Sequence, residues 1–473
     1  MPANSRSFTA EYESGQESTS MLSCTLAFLV PLILGCYWLL YAFSEDLAVL
    51  ILRPAVLLGA CLLVLLWNQL PLTWAELRLG KIMLVMCVVL IAPSLTATIP
   101  SRALADCVKL SALCIVALLV CRALRHEETA RAFGWGLIVA GVLVAGLTVY
   151  TYISLVGLTL PTYESTRVLK AVAMHANIPL NAVAFASVFA YICGMCLLCG
   201  NKLLWALGFV LFPISSVLTG SRAPIAVLLA SWFILMIFNG VVSSHLTVRV
   251  LTWLIIVGLA IVIAWGSQRI TFKGMSLLTE GRWDLWWVGL QKFTERPMLG
   301  YGFDSWRDDL VSRLPGDYGM TSFIARNIAG GYHNEYVTML AEQGLIGFFP
   351  VMALFVFLLR CSWKLAFQRS ATWKNGQWAL FGCLFLMLRA GIEAPGLFGY
   401  GQEPADYLAF LFVAIVVSRF SVEEDYLKYA QAVRQSGHYA PQRISQPRAA
   451  LGRARASQPA VTYRGSELEA GPA

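Results

Sequence analysis

The sequence predicts an all-α polytopic membrane protein with about twelve transmembrane helices and one large loop that contains short helices. Hydrophobic residues make up 58% of the 473 residues, charged residues only 13%, and the mean hydropathy is +0.67. A soluble domain is about 25% charged and lacks repeated runs of about 20 apolar residues. The longest interruption of the apolar pattern, at 267–343, is therefore predicted to be a loop outside the membrane.

Twelve apolar segments have about the length that a transmembrane helix requires. They lie at about 21–43, 47–67, 79–99, 103–121, 132–156, 178–199, 202–219, 223–241, 248–266, 344–360, 377–394 and 404–420. These segments define a transmembrane domain over 21–420, preceded by a polar tail at 1–20, for which we predict no cleaved signal peptide. The stretch 421–473 is rich in Pro, Gly, Ser, Gln and Arg, so we predict a disordered, basic tail.

Lysines and arginines in the short loops predict the orientation of the chain. They fall on one side of the predicted membrane, as Arg78, Lys81, Arg122, Arg125, Arg131, Lys202, Arg249, Arg360, Lys364, Arg369 and Lys374. Both termini are therefore predicted to be cytoplasmic, and the large loop at 267–343 periplasmic. The net charge of +8 therefore says more about orientation than about nucleic acid. The arginines of the C-terminal tail fit contact with anionic membrane lipids, although a solvated tail is the simpler interpretation.

The large loop carries eight cations and nine carboxylates, so most of its charges are expected to be solvated or paired. It has no cysteine, and packing must hold it in place because no disulfide can. Residues 283–293, WDLWWVGLQKF, have aromatic residues at helical spacing with charges between them. This pattern predicts a helix at the membrane interface.

Residues 330–347, GGYHNEYVTMLAEQGLIG, place polar residues directly before the tenth apolar segment. Asn334 is predicted to cap a helix that runs from about Tyr336 and ends near Gly344. His333 would then lie just outside a helix N-terminus, where backbone N–H groups favour an anion. A neutral histidine there can accept a proton, although a histidine hydrogen-bonded within a loop fits the same pattern.

Two arginines begin predicted helices. Arg222, in LTGSRAPIAV, precedes the eighth segment, with Pro224 in the first turn, where proline is tolerated. An arginine at bilayer depth costs about 3 kcal/mol unless it snorkels, faces a wet cavity or has a partner. Arg282, in TEGRWDLWW, begins the helix of the large loop, and Asp284 is close enough in sequence to pair with it.

Charged residues also occur inside the apolar segments. Arg389 and Glu393 lie one turn apart in the eleventh segment, and an i,i+4 ion pair is the simplest interpretation of them. The sequence contains no P-loop, no dinucleotide-binding fingerprint and no acidic cluster suited to a divalent ion. The sequence is thus compatible with a reaction that uses no nucleotide, no metal and no other cofactor.

The order and spacing of these motifs resemble the O-antigen ligase/polymerase superfamily, and most closely its O-antigen ligases. The shared features are SR at a helix start, RW at the head of a long loop, and HN followed by an aromatic residue and ExGxxG. The resemblance covers about 210–350 in motif detail. It departs from the family at Ala223 and Pro224, where glycine is common after the arginine.

The resemblance implies a metal-independent glycosyltransferase of the GT-C type in the bacterial inner membrane. Its donor would be O-antigen on undecaprenyl pyrophosphate, and its acceptor the lipid A–core oligosaccharide, both at the periplasmic leaflet. Arg222 and Arg282 would hold the pyrophosphate, and His333 would be the general base or a phosphate ligand. Asn334, Glu335, Arg389 and Glu393 are secondary candidates for the site.

Three other functions fit parts of the sequence. An O-antigen polymerase or a protein O-oligosaccharyltransferase would use the same donor with a different acceptor. A flippase for the lipid-linked glycan would instead need charged residues near the middle of several helices, and broken helices in matching halves.

Overall fold

The structure is a computed structural model. It describes residues 21–35, 72–97, 99–157, 180–198, 202–218, 222–242, 282–302, 305, 332–367, 373–392 and 404–435. The chain divides into two compact units, 1–426 and 427–473. In the first unit, the described residues form helices that pack side by side, with no strand among them. The second contributes only the end of the last helix to the described residues.

Twelve helices occur within the described residues. They are α1 Met21–Gly35, α2 Trp74–Val89, α3 Ile91–Leu95, α4 Pro100–Ala123, α5 Glu127–Val156, α6 Leu180–Leu198, α7 Lys202–Leu218, α8 Arg222–Val242, α9 Arg282–Glu295, α10 Glu335–Phe367, α11 Trp373–Ile392 and α12 Pro404–Gln435. Three apolar stretches are long enough to cross a membrane: Ala103–Ala123, Glu127–Val156 and Glu335–Phe367. Shorter apolar stretches lie at Val183–Leu198, Ala223–Phe238 and Gly376–Ile392. This all-helical, apolar architecture is that of a membrane protein.

The helices differ from the predicted segments mainly at their ends. The third segment begins earlier than predicted because Thr73 caps α2 and exchanges reciprocal hydrogen bonds with Glu76. The last helix continues to Gln435, past the predicted start of the tail at 421. Its extension contains two residues each of Glu, Gln and Ala, which favour helix without needing an apolar face. The second and ninth predicted segments lie outside the described residues.

The core lies where α5 packs on α6 and α10 packs on α11. Small residues allow the first of these contacts to be close. A Cβ atom at Gly141 would lie 2.7 Å from the Ser187 carbonyl oxygen, and one at Gly194 would lie 2.6 Å from the Ile138 side chain. Lipid tails are as apolar as the side chains of a membrane helix, so helices associate through close van der Waals packing, which small residues allow. Aromatic side chains of α6 and α11, including Phe189 and Phe385 with ring centroids 5.7 Å apart, extend the core.

Buried charges hold the start of α2 to the turn between α4 and α5 and to α12. Arg125 donates to Asp425 Oδ2 at 2.7 Å and to Glu76 Oε2 at 3.4 Å. The side chains of Arg125 and Glu76 are only 6% and 3% exposed. Burial and the charge of Arg125 lower the pKa of His126, so that the arginine supplies the positive charge of this turn.

A second arginine extends the same network. Arg419 on α12 donates to Glu127 Oε2 at 2.9 Å, and the hydroxyls of Ser421 and Thr73 are hydrogen-bonded at 2.8 Å. The pair between Arg131 and Glu127 is more exposed, with 42% and 48% of the side chains accessible. We call these residues the ion-pair cluster; it comprises 73–76, 122–131 and 419–425. In the predicted orientation it lies at the cytoplasmic end of the bundle.

A candidate active site at a broken helix

Helix α10 is broken at Gly344. This residue has φ 61° and ψ −166°, which no residue inside an α-helix adopts. The break divides α10 into a short segment at 335–343 and a long segment at 345–367. The prediction that the first helix ends near Gly344 is therefore confirmed.

The short segment is anchored at its beginning by Asn334. The Asn334 Oδ1 atom accepts a hydrogen bond from the Val337 N–H at 3.1 Å, so the predicted cap is confirmed. Its Nδ2 atom donates to the Gly391 carbonyl oxygen at 2.9 Å. The Tyr336 hydroxyl donates to the Met387 carbonyl oxygen at 2.9 Å. The cap therefore ties the start of α10 to the end of α11.

His333 directly precedes this cap in a strained backbone conformation. Its φ is 49°, and it is the one non-glycine residue with positive φ in the part of the chain that the structure describes. The left-handed region costs a residue with a Cβ atom about 1–2 kcal/mol. Tyr332 before it is fully buried, whereas His333 is half-buried. Strain of this kind persists only where neighbouring contacts impose it, and it is common at functional sites.

Arg389 lies on the turn of α11 that receives the two anchoring hydrogen bonds, between Met387 and Gly391. It is only 3% exposed, and its guanidinium carbon lies 5.0 Å from the centroid of the Phe185 ring. The predicted partner Glu393 lies outside the described residues, so that ion pair stays a prediction. The structure thus places the backbone turn that carries Arg389 against the start of α10. Glu335, the first residue of α10, is 3% exposed.

Arg222 and Arg282 are described by their backbone, as the first residues of α8 and α9. Helix α8 packs against α11, and α9 packs against α10. Arg222 therefore begins a helix that packs on α11, which carries Arg389. Arg282 begins a helix that packs on α10, which His333 directly precedes.

Residues 207–356 match the family model described as O-antigen ligase. The resemblance drawn from the motifs is thereby confirmed over this range, which contains Arg222, Arg282 and His333. The match supports a glycosyltransferase-like membrane enzyme of the O-antigen ligase/polymerase type, acting on lipid-linked glycans. No curated protein matches the chain.

The region that matches the O-antigen ligase model also contains a feature that the sequence did not single out, at 297–302, PMLGYG. This stretch follows α9 and pairs by backbone hydrogen bonds with 341–346, on both sides of the break in α10. We call the two paired stretches the clasp. Its sequence signal is two glycines in G-x-G spacing, Gly300 and Gly302, both with positive φ. Such a spacing is too common to be specific by itself.

A buried cation from the large loop lies beside the clasp. Lys292 on α9 is 1% exposed, and its Nζ atom donates to the Ser305 carbonyl oxygen at 3.2 Å. The same atom lies 4.9 Å from the centroid of the Tyr301 ring. Burial of this cation is accommodated because a carbonyl oxygen and an aromatic face surround it.

Helix α9 has two distinct faces, as its sequence predicts. Leu285 and Val288 are buried against the short segment of α10, whereas Trp287 is 58% and Leu290 39% exposed. An exposed tryptophan and leucine suit a membrane interface, and that location stays a prediction. The described residues contain no group of three His, Cys, Asp or Glu side chains arranged to hold a metal ion.

Proposed function

We propose that this protein is an O-antigen ligase of the bacterial inner membrane. It would transfer O-antigen from undecaprenyl pyrophosphate to a hydroxyl of the lipid A–core oligosaccharide at the periplasmic leaflet. The observation that carries the proposal is His333, held in a strained conformation at the capped start of a broken helix, within the O-antigen ligase region. A half-buried imidazole with a rigid backbone suits proton transfer at an apolar surface.

His333 acts in this proposal as the general base that removes the proton of the acceptor hydroxyl. The attacking oxygen forms the new glycosidic bond at the anomeric carbon, and the bond from that carbon to the pyrophosphate oxygen breaks. Pyrophosphate is already a good leaving group, so the remaining task is to stabilise its growing negative charge. Arginine suits this task because its planar guanidinium binds phosphate oxygens in pairs and keeps its charge.

Arg222 and Arg282 are the proposed ligands of the donor pyrophosphate. Both begin helices that pack on the His333 and Arg389 helices, which supports a common location. Arg389 is a third cation for the same charge, because its turn is hydrogen-bonded to the start of α10. Asn334 positions this start, and Glu335 and Glu393 are the alternative carboxylate bases. These arginines make a metal ion unnecessary in the proposed reaction.

Purified protein tests the activity directly, with lipid-linked O-antigen and lipid A–core as substrates, EDTA present and no nucleotide added. The proposal predicts a covalent product in which O-antigen is attached to lipid A–core. Longer glycans that remain on the prenyl lipid would identify a polymerase, and glycosylated protein a protein O-oligosaccharyltransferase. Movement of the donor between leaflets without a covalent product would identify a flippase. Activity that is lost on chelation and restored by magnesium or manganese would overturn the metal-independent mechanism.

Donor binding separates the role of the histidine from that of the arginines. We expect Arg222→Lys to weaken binding of undecaprenyl pyrophosphate, because lysine cannot contact two phosphate oxygens with one planar group. His333→Asn is expected to bind this donor normally and fail to transfer. The reverse pattern would make His333 a phosphate ligand and direct the search for the base to Glu393.

The orientation of the chain is tested by the accessibility of single cysteines in a cysteine-free background. A cysteine replacing Arg313 in the large loop should react with a membrane-impermeant reagent in intact spheroplasts. One replacing Arg369 should react only after the inner membrane is permeabilised. The opposite labelling would place the proposed site on the wrong side of the membrane for its donor.

A further inference from the structure

The clasp joins the large loop to the broken helix through four backbone hydrogen bonds. The N–H groups of Leu345 and Ile346, after the break, donate to the carbonyl oxygens of Pro297 and Met298 at 2.8 and 3.1 Å. The N–H groups of Tyr301 and Gly302 donate in return to the carbonyl oxygens of Ala341 and Glu342 at 3.1 and 2.7 Å. The clasp thus satisfies groups that a break in a buried helix would otherwise leave without partners.

Glycine is required at two positions of the clasp because the backbones touch. A Cβ atom at Gly344 would lie 2.4 Å from the Met298 carbonyl carbon, and one at Gly300 would lie 2.3 Å from the Glu342 carbonyl carbon. Both glycines also have positive φ, at 61° and 64°. Any other residue at either position would have to push the two paired stretches of the clasp apart or adopt a strained backbone.

The clasp connects two helices that run in the same direction. Beside Gly289 of α9 lies Val337 of α10, since a Cβ atom on this glycine would approach the valine Cγ1 to 2.4 Å. Farther along both chains, Met298 lies beside Gly344. From Gly289 to Met298, just past the end of α9, the contact points therefore advance in the same direction as along α10. The starts of the two helices lie at the same end.

Each of these starts carries a residue of the proposed site. Arg282 precedes Gly289 by seven residues, or about 10 Å of helix, and His333 precedes Val337 by about one turn. The distance between their backbones is set by how far α9 is displaced along α10. Side-chain packing alone permits small sliding between helices, whereas hydrogen-bonded backbones permit only discrete positions.

We infer that the clasp sets the axial position of α9 relative to α10, and that Gly300 and Gly344 are positioning residues for the transfer reaction. The inference rests on the proposed function, because it assigns the arginine and the histidine to one site. Neither glycine contacts a reacting atom. Each glycine acts by setting the backbone positions of Arg282 and His333 relative to each other. A displacement of about 1 Å between reacting groups can lower a rate about 10²-fold.

Alanine at each glycine tests the inference, with Gly146→Ala on α5 as the matched control because nothing lies within 4 Å of a Cβ atom there. We expect Gly300→Ala and Gly344→Ala to lower kcat about 10²-fold while the KM for the donor changes little. The folded fraction and the melting temperature of each variant are measured in the same detergent. Transfer by folded Gly300→Ala and Gly344→Ala at the rate of Gly146→Ala would overturn the inference.

Hydrogen exchange provides the readout that loss of stability alone would not reproduce. In the unaltered protein the amides of Tyr301, Gly302, Leu345 and Ile346 should be protected, because all four donate hydrogen bonds in the clasp. The alanine variants should lose protection there while α5 and α6 keep theirs. Rapid exchange of these amides in the unaltered protein would overturn the inference. The inference would also be overturned if the alanine variants lost activity while the clasp amides stayed protected. The same holds if these variants lost that protection and kept full activity.

A parallel measurement on His333→Asn separates this inference from the proposed function. If that variant transfers normally, the proposed base is wrong whatever the glycine variants do. If it is inactive while the glycine variants transfer normally, the proposed function stands and the positioning role of the clasp is wrong.

Discussion

The clasp and the ion-pair cluster connect distant parts of the chain by different chemistry. In the clasp, the connections are backbone hydrogen bonds between stretches that glycine allows to approach closely. In the ion-pair cluster they are charged side chains, led by Arg125 and Arg419. The two regions lie near opposite ends of the long segment of α10. Gly344 belongs to the clasp, and Lys364, twenty residues or about 30 Å later, lies 5.6 Å from the ring of Phe420 in α12.

The two ends differ in the chemical groups that connect their helices. At the ion-pair cluster, buried arginines are occupied with carboxylates, so they hold helices together. At the clasp, four backbone hydrogen bonds connect the loop to the bundle. The proposed function assigns the cations at this end to the anionic donor. Four predictions test this contrast.

Replacing His333 with asparagine should have the largest effect on activity. Loss of a general base typically lowers the rate about 10²–10⁴-fold. Asparagine tolerates positive φ better than other residues with a Cβ atom, so the backbone of this position should be preserved. Transfer rate and melting temperature are measured together, with His333→Ala for comparison. If His333→Asn unfolds or transfers glycan at the normal rate, the two ends of the bundle do not differ in the way proposed.

Replacing Arg125 with methionine should reduce stability and leave turnover per folded molecule unchanged. The substitution leaves the nearly buried Glu76 carboxylate without this partner, and breaking a buried pair costs about 3–5 kcal/mol. The free energy of unfolding in mixed detergent and the transfer rate of the remaining folded protein are the measurements. Full stability with reduced turnover would show that the ion-pair cluster takes part in the reaction.

Replacing Arg389 with lysine should have a moderate effect, milder than Arg222→Lys. Lysine retains the charge over the Phe185 ring but loses the planar guanidinium, and a cation–π contact contributes roughly 0.5–2 kcal/mol. We expect kcat/KM to fall about tenfold, which corresponds to about 1.4 kcal/mol. Arg389→Met is the matched control of similar length without charge. If methionine and lysine perform equally, the charge of Arg389 has no part in donor binding.

Replacing Arg131 with alanine should have the smallest effect. Its pair with Glu127 is solvent-accessible on both sides, and exposed i,i+4 pairs contribute about 0.3–0.5 kcal/mol. The melting temperature should change little, and transfer should be unaffected. A loss as large as that of Arg125→Met would mean that the exposed and buried parts of the ion-pair cluster act as one unit.

Most helices could be predicted from the sequence because apolar runs identify them. The predicted segments at 178–199, 202–219 and 223–241 correspond to α6, α7 and α8, with ends that agree within two residues. The cap at Asn334 and the break at Gly344 were also predictable, since each depends on side chains and backbone preferences within one turn. The helix in the large loop was identified by its aromatic spacing.

Charged residues were harder to interpret because burial depends on distant neighbours. Most charges of the large loop were expected to be solvated or paired, and the structure adds that Lys292 is buried beside Tyr301 and the Ser305 carbonyl oxygen. Arg389 was read as half of a pair within its own helix. That pair stays a prediction, and the structure adds that this turn of α11 receives hydrogen bonds from Asn334 and Tyr336, more than fifty residues earlier in the chain.

The sequence by itself determined the membrane character of the protein, the order of its helices and the identity of the residues proposed for the site. These properties follow from composition, apolar length and capping, which act over one or two turns. Only the tertiary structure decided how α9 is positioned along α10 and which turn of α11 meets the start of α10. The first contact is made by backbone atoms, and the second ends on backbone carbonyl oxygens. Every residue has these groups, so no residue pattern distinguishes the correct pairing from other pairings.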